Sequence, residues 1–180
     1  MAEFKKLKGG SIVRLDVDKL SAIGDGFGQK LVTQVGILGA KAHNRKEAGS
    51  LKRAGGHKLT RNPSEITNAE IGLKHEKGSI SENIPRRSFL EMPLIEKGNA
   101  LLRIKDYLWA QFSTGKRDYQ TIYKQLGIMA EVIIQKAFAT RGFGKWRPNS
   151  PRTKAEKGSD APLIDTAQLR RSITSRVVTR

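Results

Sequence analysis

Leu101-Leu102-Arg103-Ile104-Lys105-Asp106-Tyr107-Leu108-Trp109-Ala110-Gln111-Phe112 is the stretch whose reading decides the fold. Leu101, Ile104, Leu108 and Phe112 recur at spacings of three and four, with Lys105 and Asp106 between them, so one face of a helix is apolar and the other is wet. Thr114-Gly115 breaks that helix. A second begins near Lys116 and carries Ile122, Leu126, Met129, Ile133 and Ala137 on one stripe, ending at Arg141-Gly142 with glycine just past the last turn. These two helices, within residues 97 to 141, are expected to supply most of the core.

Outward from the helices the signals become strand-like. Ile12-Val13-Arg14-Leu15-Asp16-Val17 places Val13, Leu15 and Val17 on one face at period two. Leu31 to Leu38 is a β-branched run bounded by glycines, although a helix running from about Asp16 into it is a rival reading. Ile173-Thr174-Ser175-Arg176-Val177-Val178 alternates as a closing strand. The expected class is α+β, a single domain over residues 1–180. Two long core helices pack on a small, mostly antiparallel sheet with strands near 11 to 17, 31 to 38 and 172 to 179, and the connecting loops are long and basic.

Thr67-Asn68-Ala69-Glu70 matches a capping box, in which the hydroxyl and the carboxylate satisfy two backbone donors at a helix start. A short helix from Asn68 to about Lys77, stopped by Gly78, follows from it; a strand through Ile71 and Leu73 stays open. Ile84 to Leu90 reads as extended, because the residue before Pro85 avoids helical angles. Asp165 or Thr166 can cap a helical turn through Leu169.

With 34 Lys and Arg against 17 Asp and Glu in 180 residues, the formal net charge is +17. Such a surplus repels itself in a compact chain and points to polyanions or acidic neighbours as partners. It is concentrated in two segments. The first, within residues 41–63, carries Lys41, Arg45, Lys46, Lys52, Arg53, Lys58 and Arg61 against the single acid Glu47, with almost no apolar periodicity, and reads as an extended arm or loop. The second, within residues 142–161, is a proline-containing loop bearing Lys145, Arg147, Arg152, Lys154 and Lys157, with Glu156 as the nearby acid.

The chemistry-bearing patterns are thin. Without cysteine there is no disulfide and no thiolate metal site. His43, His57 and His75 lack metal spacing, and the His75-Glu76 pair reads as helix surface rather than as an acid–base pair. Asp16 and Asp18 share a face on a strand, as paired carboxylates of a metal nuclease would, but Asp18 serves equally as a helix cap. Gly24-Asp25-Gly26-Phe27-Gly28 has neither dinucleotide spacing nor the Lys of a phosphate loop. Nucleic-acid modules are absent by motif, and aromatics are only 6% of the chain, which leaves phosphate attraction through Lys and Arg as the plausible nucleic-acid contact. No enzyme activity, cofactor or metal is expected. No run approaches the ~18 apolar residues of a membrane helix and the first residues lack a signal-like apolar stretch, so a soluble protein made in cytoplasm is expected.

Three blocks, in order, resemble the tail-completion or neck proteins of tailed bacteriophages, the virion-morphogenesis family. Asn68-Ala69-Glu70-Ile71 with His75-Glu76-Lys77-Gly78-Ser79 resembles the family segment running through Ala-x-Ile to a His-Glu-Phe-Gly ending. Ile84-Pro85-Arg86-Arg87-Ser88-Phe89-Leu90 is similar to its Ile-Pro-Ala-Arg-Pro-Phe-Leu element. Trp146-x-Pro148, followed by Pro162-Leu163-Ile164-Asp165-Thr166-Ala167-Gln168-Leu169-Arg170-Arg171-Ser172-Ile173, is similar to Pro-Leu-Ile-Asp-Thr-Gly-x-Leu-x-x-Ser-Ile. Lys77, Ser88 and Ala167 depart from the pattern, where an aromatic, a proline and a glycine are usual.

The resemblance implies a non-enzymatic virion protein at the head–tail junction, assembled in host cytoplasm, that completes the tail and joins it to the head as a homo-oligomeric ring. A hexamer is expected, with a dodecamer the other symmetry considered. Its partners would be its own copies, adjacent neck or connector and tail-terminator or tail-tube proteins, and genomic DNA held non-specifically in the channel. The basic residues of the arm and of Lys145, Arg147, Arg152 and Lys154 would face that channel or dock on neighbouring rings. A stand-alone, sequence-independent nucleic-acid-binding protein is the alternative.

Overall fold

A computed structural model describes residues 2–7, 10–15, 31–38, 67–116 and 118–179. Four strands form one sheet in the order β1-β2-β3-β4: β1 (Ala2–Leu7), β2 (Gly10–Leu15), β3 (Leu31–Ile37) and β4 (Ile173–Thr179). Every pairing is antiparallel, with Phe4 opposite Val13, Val13 opposite Val35, and Val35 opposite Ser175. The expected strands are present at 10–15, 31–37 and 173–179; β1 is an addition to them, because no period-two pattern marks Glu3-Phe4-Lys5-Lys6. Asp16, Asp18, the glycines at 24 to 28 and the basic arm with His43 and His57 lie outside the described residues.

Among the described residues six helices occur in chain order: α1 (Asn68–Lys77), α2 (Glu91–Glu96), α3 (Gly98–Ser113), α4 (Tyr119–Ala139), α5 (Pro151–Lys157) and α6 (Gln168–Arg171). α1 starts on the expected capping box, Thr67 Oγ1 accepting from Glu70 N at 3.2 Å while Thr67 N donates to Glu70 Oε2 at 2.8 Å. It stops at Gly78, whose φ is +78°. α4 begins at Tyr119 rather than near Lys116, because Asp118 is the residue whose side chain accepts from Thr121 N. α4 lies on β3 and β4, and α3 packs on α4.

The stripe of α4 packs inward as its spacing predicts, with Met129 half-buried. On the α3 stripe only Leu108 is buried while Leu101, Ile104 and Phe112 are half-buried, so α4 and not the pair supplies most of the helical core. Ile122, Leu126, Ile133 and Ala137 are buried on α4, and Val35, Ile37, Phe89, Leu90, Ile134 and Phe138 join Ile133 and Ala137 in the main core. A second, smaller cluster is built from Leu108, Ile122 and Leu126 with Ile104, Trp109 and Phe112 against it. Thr33 of β3 donates from its hydroxyl to Tyr123 O of α4 at 2.8 Å, pinning the helix to the sheet. There the backbones approach closely, since a Cβ on Gly127 would meet Ser175 Oγ at 2.6 Å. Any larger residue at that position must push α4 away from β4.

Two local expectations are corrected. The segment 142–161 is not loop throughout: Ser150 caps α5 through Thr153 N, Pro151 occupies the first turn and Gly158 ends the helix in the left-handed region. The turn before Leu169 is not capped by Asp165 or Thr166, because Ala167 takes the cap position at φ +59° with no side-chain cap bond.

Candidate functional site

The three sequence blocks meet at one corner of the domain, joined by hydrogen bonds to main-chain carbonyls. After Gly78 the chain turns back, Ser79 and Ile84 exchanging backbone bonds at 2.9 and 2.8 Å, and Arg87 N donates to His75 O at 2.8 Å. The Arg87 side chain, 7% exposed, then spans to the third block, Nε donating to Arg147 O at 2.8 Å and Nη2 to Pro148 O at 2.9 Å. Trp146 answers by donating from Nε1 to Ser88 O at 3.0 Å, with its ring edge-on to Phe138 at 5.6 Å. Gly142 makes room for that indole: a Cβ there would lie 2.3 Å from the ring.

Glu76 overturns the surface reading of His75-Glu76. It is 1% exposed, and its carboxylate accepts from Ser88 Oγ, Phe89 N (2.8 Å), Leu90 N (2.9 Å) and Glu91 N (3.1 Å). α2 has no side-chain cap of its own at Leu90. The buried carboxylate therefore serves the orphan donors and positive end of a helix that begins fifteen residues later in the chain.

Between the blocks lies a cleft of about 780 Å³. Of the residues carrying the resemblance, His75, Pro85, Arg87, Pro148, Leu163, Asp165, Thr166 and Leu169 line it. Phe89 and Trp146 sit in the core, Ser172 is buried with its hydroxyl donating to Leu169 O at 2.7 Å, and Gly78 forms the turn. Their places are those of a framework: each shapes the corner or its wall. Lys157, one of the basic residues of segment 142–161, and Asn149 also line the cleft and are buried, at 6% and 7% exposure. No periodicity or motif marks Asn149 within Pro148-Asn149-Ser150-Pro151.

His75 is held neutral at pH 7. Burial is the main cause, and Arg87 and Lys157 nearby add repulsion, so its pKa falls from 6.5 to about 4. Burial also lowers Arg87, with Arg147 contributing. At the rim, Glu82 pairs with Lys74.

The basic residues of segment 142–161 are less free than their sequence count suggests. Lys145 pairs with Glu96 at 2.8 Å, Arg152 with Glu156 at 2.9 Å, and Lys154 with Asp160 at 3.1 Å, while Arg147 is exposed beside the cleft. The hydrogen bond from Lys145 holds the Glu96 carboxyl below its ordinary pKa. These pairs are exposed and contribute little to stability, but each reduces the local positive field. Lys41, Arg45, Lys46, Lys52, Arg53, Lys58 and Arg61 lie outside the described residues.

Among the described residues no cluster of His, Cys, Asp or Glu could hold a metal ion, and no helix is long and apolar enough to cross a membrane. Comparison with family models, with curated proteins and with solved structures finds no match.

Proposed function

We propose that this chain is a structural, non-enzymatic virion protein of the phage neck, forming a ring around the DNA channel that completes the tail and joins it to the head. The observation that carries the reading is the convergence of its three blocks. Arg87 bonds to the carbonyls of Arg147 and Pro148, and Trp146 bonds to the carbonyl of Ser88. Matches arising by chance along a sequence have no reason to fall on residues that touch one another across sixty positions. The charge of +17 suits DNA passage or acidic neighbouring rings. Leu102 and Tyr107 on α3, and Ile128 and Val132 on α4, are large apolar residues about half exposed or more, as subunit contacts require.

Negative-stain imaging with mass determination, at low and moderate salt and without DNA, tests the proposal. Rings, or a monomer that closes into rings on added tail tubes, are expected. A persistent monomer that ignores tubes but binds any duplex, with affinity falling linearly in log salt, would transfer the reading to a stand-alone nucleic-acid-binding protein, which the net charge favours. Deletion of residues 43 to 60 should leave a folded subunit that no longer docks; unchanged virion yield would remove the arm from the mechanism.

A further inference from the structure

We infer that the cleft between the three blocks is a binding site for a peptide segment of a partner protein that presents a carboxylate, with Asn149 and His75 as its recessed polar contacts. The inference goes beyond the ring reading and does not rest on it.

Asn149 is 7% exposed and lines the cleft, yet its Nδ2 has no hydrogen-bond partner in the protein; the same holds for Nδ1 of His75. Buried polar atoms are nearly always paired, and leaving one unpaired is unfavourable. Both residues line one cleft, and a ligand seated there can supply the partners that the protein does not. An amide side chain suits the peptide group, since it carries donors and an acceptor together.

Charge selects the second half of the ligand. The buried Arg87 guanidinium bonds to two neutral carbonyl oxygens, and among the described residues no ion pair reaches it. Lys157 donates to Ala161 O at 2.7 Å on the same wall. The wall also holds two acids, Asp165 and Glu82, and both are already engaged, Glu82 by Lys74. A carboxylate brought near Arg87 gains charge-assisted bonds that neutral groups cannot give.

Shape separates a peptide from a nucleic acid. The remaining walls are apolar, with Ile71, Pro85, Leu163 and Leu169 among them, and the volume lies in the range of small-ligand sites. A duplex presents phosphates on a convex surface and would meet exposed cations before it reached a donor as recessed as Asn149.

The test uses the full-length, isotope-labelled protein and a library of N-acetylated pentapeptides each carrying one Asp or Glu. The control library has Asn or Gln in their place, and separate arms use inorganic phosphate and a short DNA duplex. Acidic peptides should shift the Asn149 side-chain amide resonance and raise the His75 pKa, and the neutral library should bind at least tenfold more weakly. Asn149→Ala should weaken acidic-peptide binding at least tenfold without lowering the denaturation midpoint, because it removes an unpaired group. The inference fails if neither library moves Asn149, if both bind alike, or if the alanine variant unfolds earlier while binding is unchanged. Shifts at Asn149 caused by the duplex or by phosphate, and not by the acidic library, would assign the cleft to phosphate instead. Because the readout is local to the cleft, either result stands whether or not the protein forms rings.

Discussion

Replacing Glu76 with glutamine keeps the side chain's size and removes only its charge and one acceptor. In the native protein Oε1 accepts from Ser88 Oγ and Glu91 N, and Oε2 from Phe89 N and Leu90 N. The amide fits best with its NH2 in place of Oε1, because the Ser88 hydroxyl can turn to accept while still receiving Met92 N at 2.9 Å. Glu91 N–H then faces a donor and is orphaned, which costs about 1–3 kcal/mol. The two bonds left at the carbonyl oxygen drop from charged to neutral, losing roughly 1 kcal/mol each. Loss of the negative charge at the start of α2 removes about 0.5 kcal/mol more, and relief of carboxylate burial offsets part of the total. The net expectation is destabilisation by about 3 kcal/mol, or a fall in Tm of roughly 6–12 °C for a chain of this size. Urea unfolding followed by tryptophan fluorescence measures it, since Trp146 bonds to Ser88 beside the carboxylate. A loss below about 1 kcal/mol would refute the assignment of Glu76 as the cap of α2.

Further outcomes follow from the same corner. His75 has a folded pKa of about 4 against an ordinary 6.5, so stability is fully present above pH 6.5 and falls as pH drops toward 4. The gap corresponds to at most about 3 kcal/mol; chemical denaturation at pH 7 and pH 4 should show that difference shrink in His75→Gln, and an unchanged pH slope would count against a buried neutral imidazole. Ala167→Gly should raise stability by about 0.5–1 kcal/mol, because Ala167 sits at φ +59°, where a Cβ is strained; a lower Tm in that variant would contradict the turn geometry. Arg87→Lys keeps the charge but cannot bridge the carbonyls of Arg147 and Pro148. It should cost about 1–3 kcal/mol and expose segment 146–149 to faster amide exchange, whereas unaltered exchange there would deny the bridge its role.

How much of this is legible in the sequence depends on the range of the interaction. The capping box at Thr67 and Glu70 lies within four residues, and the stop at Gly78 is a property of one residue, so the chain announces both locally. α5 carries equally local signals, Ser150 before Pro151 and Gly158 after Lys157. Its basic composition suggests a loop only when charge is weighed over capping. Ala167 departs from a glycine pattern, and its left-handed backbone gives that departure a physical meaning.

The sequence by itself determined α3 and α4 from spacings of three and four and β4 from its alternating run, while β3 is one of two readings of the 31–38 run. Periodicity is a property of neighbours along the chain, and burial of one face follows from it. Tertiary structure alone decided the fate of single polar residues. Glu76 is buried because donors at 88 to 91 come to it, and Asn149 is buried although its neighbours Pro148 and Ser150 are exposed. Lys145 and Lys154 lose much of their free charge to Glu96 and Asp160. A side chain's partners in space are set by the packing of whole elements, and for Glu76, Asn149 and Lys145 no pattern of neighbours in the chain encodes them.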